Sequence, residues 1–220
     1  MTLVCGNTRP DFPAYSDREV VADAIVHAVG VALGLAAGIS LIRDAALVHS
    51  GTALGATVVY AVGLVAMLVA SALYNLTHPS CFKLQLRRFD HSAIFLKIAG
   101  TYTPVALVMI GGSHGWELLV AVWVLAFAGV AAKLWLPMRW EAASLGLYVA
   151  LGWSVLLCSK SFLAGTPPTT MLWIAAGGLT YTIGVVFHVW RSLPYQNAIW
   201  HAFVLAGSGF IFMALRGVLV

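Results

Sequence analysis

Long apolar runs alternate with short polar connections along almost the whole chain. Each run approaches the roughly 20 residues that a helix needs to cross the hydrocarbon core of a bilayer. The runs are continuously apolar and do not alternate with a period of two, which argues against an outer-membrane β-barrel. The pattern predicts an all-α integral membrane protein, a seven-transmembrane-helix bundle with spans near 22–42, 53–76, 91–111, 116–136, 142–163, 171–190 and 198–219.

The connections between the predicted spans are short, and this favours one compact bundle over two separate domains. We therefore expect a single seven-helix membrane domain over residues 22–220, preceded by a segment of residues 1–21. That segment is charged, contains two prolines and lacks a basic start followed by an apolar core, so we expect no cleavable signal peptide. The first span then serves as its own insertion signal.

The composition supports this class. The chain is 61% hydrophobic and 9% charged, whereas about a quarter of the residues of a soluble protein are charged. The formal net charge is +4, but the basic residues are scattered and form no patch with aromatic residues, so we expect no nucleic-acid partner. Three widely separated cysteines, Cys5, Cys81 and Cys158, have no CxxC spacing and indicate reduced thiols.

The distribution of lysine and arginine predicts the orientation of the bundle. Positive residues are enriched in cytosolic connections, and placing the N-terminus in the cytosol puts eight of the twelve there and three outside, with Lys97 inside a span. We therefore predict a cytosolic N-terminus and an outside C-terminus. The cytosolic set is Arg9, Arg18, Lys83, Arg87, Arg88, Lys133, Arg139 and Arg191.

One face of the first span combines polar and small residues. Asp23, His27, Gly30, Gly34 and Gly38 follow one another at steps of three or four, which places them on one side of a helix. Small residues at this spacing let a neighbouring helix approach closely. The polar pair should therefore point into the bundle, either as mutual hydrogen-bonding partners between helices or as functional groups.

The third span contains an ionisable residue inside the membrane. Asp90 and His91 lie at its cytosolic entrance, and Lys97 follows Asp90 by seven residues, about 10 Å along a helix, which is too far for a pair within the helix. Lys97 either extends back to the cytosolic surface or pairs with an acid of another helix, for which Asp23 is the candidate. The fourth and fifth spans have few polar residues, and we interpret them as scaffold.

Polar residues of several spans meet near one face of the bundle. Odd-numbered spans begin at the predicted cytosolic face and even-numbered spans end there, which fixes the depth of each residue. An unpaired charge at mid-membrane costs about 2.5–3.5 kcal/mol, so scattered polar residues are less favourable than a shared cavity. We predict one polar pocket open to the cytosolic leaflet and lined by Asp23, Asn75, His91, Lys97, Asn197 and His201.

Four stretches of the chain resemble the bacterial hemolysin III family, within the wider progestin and adipoQ receptor superfamily, which includes adiponectin receptor-like proteins. They are Glu19 with DAIVH (Asp23 to His27), SALYN, LRRFDHSAIFLKIAGTYTP and PYQNAIWHAFVLAGS. The last two are the specific ones, and the resemblance covers nearly the whole chain. It implies a multi-pass protein of the bacterial inner (plasma) membrane, with membrane lipids as partners.

The resemblance also implies a zinc site near the cytosolic side, in a superfamily whose related enzymes hydrolyse lipid amides such as ceramides. The positions matching the family's three histidine ligands are Asn75, Asn197 and His201, with Ser71 and Asp90 close by. Proteins hold zinc with His, Cys, Asp or Glu, and a carboxamide oxygen is a weak ligand. We therefore expect no tightly bound cofactor at these three positions.

A compensating zinc site stays open as an alternative. The family's usual asparagine in the first motif is an acid here, Asp23. Carboxylate and imidazole groups at a similar depth are supplied by Asp23, His27, Asp90, His91 and His201.

Three functions remain as hypotheses. The first is a hemolysin III-type protein whose polar pocket senses or adjusts membrane lipid state. The second is a pore-forming cytolysin, although a conduction path needs polar residues along the length of several helices. The third is a metal-dependent hydrolase of a lipid amide or ester, with Ser71, Asp90 and His27 as catalytic candidates. The sequence decides neither enzymatic activity nor oligomeric state.

Overall fold

A computed structural model describes residues 15–135 and 141–220, and the side chains of residues 141 and 142 lie outside that description. The helices are α1 (Asp17–Val48), α2 (Thr52–Leu76), α3 (Cys81–Pro104), α4 (Gly112–Trp135), α5 (Glu141–Gly152), α6 (Ser159–Gly165), α7 (Pro168–Val189) and α8 (Gln196–Leu219). A π-helical segment, Val105–Ile110, continues α3, and a 3₁₀ segment, Ser154–Cys158, joins α5 to α6. The described residues contain no β-strand.

Seven helical stretches in the described part are long and apolar enough to cross a membrane. The third runs without a break from α3 into the π-helical segment, and the fifth is made of α5, the 3₁₀ segment and α6. The predicted all-α bundle with seven spans is thereby confirmed. Several boundaries differ from the predicted ones. In particular, α1 begins at Asp17 and α3 at Cys81, because polar helical turns precede the apolar run that hydropathy detects.

Capping side chains fix where α1 and α3 begin. Ser16 and Glu19 form a reciprocal capping box at the start of α1, and the Ser80 hydroxyl accepts a hydrogen bond from the Lys83 backbone N–H at the start of α3. Such caps satisfy backbone N–H groups that the first turn of a helix leaves without partners.

The small-residue face of α1 packs closely against a neighbouring helix, as predicted, and that helix is α2. Asp23, His27, Gly30, Gly34 and Gly38 are all buried. A Cβ atom added at Gly34 would lie 2.4 Å from a methyl carbon of the Leu68 side chain on α2, so only glycine permits this approach without displacing that side chain. The close packing turns the polar end of this face into the bundle.

The helices form a ring around a central cavity. The most extensive helix pairs are α1 with α2, α2 with α3, α3 with α4, α1 with α8 and α7 with α8, while α5 touches both α3 and α7. We call the end at which α1 begins, α2 ends and α8 begins the N-terminal face. That this face is cytosolic stays a prediction.

The fifth span is interrupted at its centre. The α-helix stops at Gly152, and the 3₁₀ segment follows Trp153. The Tyr102 hydroxyl of α3 donates to the Gly152 carbonyl (2.8 Å) and accepts from the Val155 N–H (2.9 Å). Because water is scarce inside a bilayer, backbone groups freed by a break need such partners. The scaffold interpretation of this span is therefore incomplete.

The cysteines differ in part from the expectation. Cys158 is a free thiol, as predicted. Cys81 is disulfide-bonded, so the prediction of a reduced thiol is wrong at that position. Cys5, for which a reduced thiol was also predicted, lies outside the described residues.

Candidate functional site

The ring encloses a cavity of about 1560 Å³ that reaches the N-terminal face. Its walls come from α1, α2, α3, α5, α7 and α8, with Lys133 from α4. All six residues predicted for the pocket line it, as do Ser71 and Asp90, whereas His27 lies outside the lining. The lining residues from the interrupted fifth span include Tyr148, Gly152, Trp153 and Val155.

A contact between helix starts fixes α1 relative to α8. Glu19, which already caps α1, accepts a hydrogen bond through Oε1 from the backbone N–H of Tyr195 (2.9 Å). Tyr195 directly precedes α8 and has a left-handed backbone conformation with φ of 59°. This contact brings the first turns of α8 beside Asp23, one helical turn beyond Glu19.

Asp23 is the centre of the site. Its Oδ1 accepts a hydrogen bond from His201 Nδ1 (2.6 Å), and its Oδ2 accepts one from Asn197 Nδ2 (2.8 Å). His27 Nε2 lies 3.5 Å from Oδ2, and the His27 ring lies 4.3 Å from the His201 ring, centroid to centroid. Short bonds to a carboxylate are among the stronger hydrogen bonds in proteins, so this cluster joins α1 firmly to α8.

The network continues from Asn197 to a second carboxyl group. Asn197 Nδ2 also lies 3.1 Å from Asn75 Oδ1, and Asn75 Nδ2 is 3.4 Å from Ser71 Oγ. Ser71 in turn hydrogen-bonds to the buried Asp90. We call the connected set Asp23, Ser71, Asn75, Asp90, Asn197 and His201 the polar network. It links four helices at one end of the cavity.

Lys97 takes a position that neither sequence alternative described. Its ammonium group donates to the Tyr181 hydroxyl (2.5 Å) and lies 4.1 Å from the centre of the Tyr181 ring. Lys97 is buried, so it does not extend to the surface, and its contacts in the described part of the chain include no carboxylate. The alternative of a pair with Asp23 is therefore wrong as well, because Asp23 is bonded to α8.

His91 is separate from the polar network. Its backbone carbonyl accepts from the Tyr148 hydroxyl (2.8 Å), and its ring packs edge-on against Tyr74. Tyr181, Trp153 and Tyr102 are site residues that the sequence reasoning did not select. For Tyr181, the sequence did contain a signal, namely the polar side chains of Thr180 to Thr182 in the middle of the sixth span.

The catalytic candidates do not form a serine nucleophile with its base. Ser71 hydrogen-bonds to Asn75 and Asp90, and no histidine of the described residues hydrogen-bonds to it. His27 lies beside Asp23 and His201 instead. Among the described residues, Ser71 therefore has no hydrogen-bonded imidazole that could remove its proton.

The zinc positions implied by the resemblance do not fit this chain. The Asn75 and Asn197 amides are bonded to each other and to neighbouring groups of the polar network. A different set fits better, because Asp23, His27 and His201 offer ligand atoms that all lie within 4.8 Å of one another. His27 Nε2 is buried without a hydrogen-bond partner. Two imidazoles with one carboxylate are a donor set that zinc accepts.

Fold and site together define a multi-pass helical membrane protein with a polar network at one end of a large internal cavity. A family model described as "Haemolysin-III related" matches residues 17–212. The chain belongs to this haemolysin III family, and the predicted resemblance is confirmed.

Individual relatives agree with this assignment. The chain is 37% identical to "Hemolysin-3" of Bacillus cereus over 199 residues, which cover 90% of each protein. It is 34% identical to "Hemolysin-3 homolog" of Bacillus subtilis (strain 168), covering 91% of this chain and 94% of the relative. The human "Monocyte to macrophage differentiation factor" is 26% identical over 165 residues, 71% of this chain and 67% of that protein. No solved structure matches the chain.

Proposed function

We propose that this chain binds a membrane amphiphile in its internal cavity and thereby senses or adjusts the lipid state of the membrane. The observation that carries the proposal is the amphipathic lining of the cavity. The polar network lies at the N-terminal face, and apolar residues, including Val105, Val155, Ile211 and Leu215, line the deeper part. The proposed location is a bacterial plasma membrane, with membrane lipids as partners, which the seven apolar spans and the family membership shared with two bacterial relatives support.

The size of the cavity suits such a ligand. Pockets for small molecules measure about 300–1,000 Å³, and this one is about 1560 Å³. Long acyl chains need extended apolar space as well as a polar end, and the cavity combines both. A conduction path fits less well, because its deep part is lined by apolar side chains.

Adjacent valines on α7 provide a matched pair of variants for the test. Val185 lines the cavity, whereas Val186 is 55% exposed on the outside of the bundle. We expect Val185→Trp to reduce the amount of acyl lipid that remains with the purified protein, because the indole fills the cavity. Val186→Trp should retain the wild-type amount. Lipid extraction followed by mass spectrometry measures both, and equal amounts in the two variants would refute the proposal.

A metal-dependent hydrolase is the second candidate, and the convergence of Asp23, His27 and His201 favours it. These three residues would hold the metal, which when bound supplies an activated water. Asp90, held by Ser71, is then the carboxyl group available to exchange a proton. Metal analysis of protein purified without chelators tests this candidate. One zinc per chain that is lost in both His27→Ala and His201→Ala supports it, and metal-free wild-type protein rejects it.

A further inference from the structure

Lys97 is a buried cation to which the described residues supply no counter-charge. It is 7% exposed, and its contacts are made with the hydroxyl and the ring of Tyr181. Asp90 precedes it by seven residues on the same helix, about 10 Å along the axis, and Asp23 is bonded to α8. A buried charge without an opposite charge is unfavourable in a membrane interior.

The ammonium group retains free hydrogen-bonding capacity toward the cavity. A lysine ammonium has three N–H donors, and the contact with Tyr181 uses one. The Tyr181 hydroxyl is held from its other side by Ser208 Oγ (2.8 Å), and Ser208 donates to the Val204 carbonyl (2.8 Å). The tyrosine is thus fixed in place, while Lys97 lines the open space of the cavity.

Lys97 lies where the polar part of the cavity meets the apolar part. The polar network precedes it toward the N-terminal face. Beyond it, Val105 lies two turns further along the continued third span, and Ile211 and Leu215 lie beyond Ser208 on α8. An amphiphile with its charged group at Lys97 would place its chain against these apolar residues.

We propose that Lys97, held in position by Tyr181, binds the carboxylate head group of a single-chain amphiphile such as a long-chain fatty acid. This inference rests on the proposed function, for which it names the ligand class and the residue that selects it. A carboxylate matches the single charge of one ammonium group, and it can accept hydrogen bonds from the two N–H donors of Lys97 that Tyr181 does not use. A phosphate monoester carries about −1.5 to −2 charges at neutral pH and would need further cations at this depth.

Binding of paired probes to the full chain in detergent tests the inference. The probes are tritiated palmitate and tritiated hexadecanol, which share a chain length and differ in charge. We expect wild-type protein to bind palmitate at least about tenfold more tightly, because hydrogen bonds to charged groups contribute on this scale. Lys97→Met should remove the preference and still bind hexadecanol, which also shows that the variant is folded.

Two further variants serve as controls. Lys160→Met removes an exposed lysine and should leave the preference unchanged, whereas Lys97→Arg keeps the charge and should retain it. If Lys97→Met does not fold, Tyr181→Phe gives a second test, since it keeps the ring, removes the hydroxyl and should lower the preference for palmitate.

The outcomes separate the two proposals. Equal binding of both probes by wild-type protein overturns the role of Lys97 and leaves the amphiphile cavity standing. If wild-type protein binds neither probe, both the amphiphile cavity and the role of Lys97 are overturned. Displacement of palmitate by hexadecyl phosphate at concentrations below those needed for unlabelled palmitate overturns the assignment of a carboxylate ligand.

Discussion

The helices α1 and α8 are joined by an aspartate at each end, and the two joints differ in their surroundings. At the N-terminal face, Asp23 binds His201 and Asn197, and the Asp23 and His201 side chains are 8% and 10% exposed. About 30 Å further along α1, Asp44 pairs with Arg216 (3.2 Å) and Arg43 (2.8 Å), whose side chains are 45% and 73% exposed.

The difference shows which joint is specialised. The Asp44 side chain is itself 12% exposed, but its arginine partners are solvated, and ion pairs with exposed partners contribute about 0–1 kcal/mol. A carboxylate held in a membrane interior by an imidazole and an amide needs every one of its partners. Asp44 therefore forms an ordinary ion pair between α1 and α8, whereas Asp23 holds together the polar residues that line the cavity.

Removal of each aspartate gives the largest expected contrast. Asp23→Ala leaves the buried His201 and the half-buried Asn197 without their acceptor and should destabilise the protein by about 3–5 kcal/mol, as is typical when one partner of a buried pair is removed. Asp44→Ala should cost no more than about 1 kcal/mol. Thermal unfolding in one detergent measures both, and equal shifts in melting temperature would contradict the contrast.

Substitutions on α8 should reproduce the contrast at a smaller scale. Asn197→Leu leaves Oδ2 of Asp23 without its donor and should cost about 1–3 kcal/mol, the penalty of a buried group without a hydrogen bond. Arg216→Leu is the matched change at the other end and should cost about 0–1 kcal/mol. A comparable loss of unfolding free energy in both variants, measured under identical conditions, would show that burial does not distinguish the two joints.

The smallest expected effect is the dependence of the two stability differences on salt concentration. Between about 0.1 M and 1 M salt the Debye length falls from about 10 Å to about 3 Å, which weakens exposed ion pairs far more than buried ones. The stability difference between wild-type protein and Asp44→Ala should therefore shrink as salt is added. The difference for Asp23→Ala should stay nearly constant, and a parallel decline in both would place Asp23 in contact with solvent.

Much of the fold follows from the sequence, because membrane helices must be long and apolar. The small-residue face of α1 was predictable from the spacing of Asp23, His27 and its glycines. Periodicity assigns a residue to a face of its own helix, but it does not say which helix lies opposite. Two pairings depended on the order of helices in the ring, namely Asp23 with α8 and Lys97 with Tyr181.

The interruption of the fifth span could not be predicted from hydropathy. An apolar stretch has the same mean hydropathy whether its helix is continuous or broken. The break after Gly152 is stabilised by Tyr102, fifty residues earlier in the chain, through two hydrogen bonds. Polar contacts between residues distant in sequence, as in the polar network, become visible when the helices are assembled.

The most direct measurement of the central claim is a crystal structure of the protein prepared with a fatty acid brominated near the end of its chain. The anomalous signal of bromine locates the chain without reference to the density of other lipids. We predict a bromine position inside the ring, near Val105, Val155, Ile211 and Leu215, with the carboxylate at Lys97. Bromine found on the outer surface of the bundle, with none in the cavity, would contradict the account.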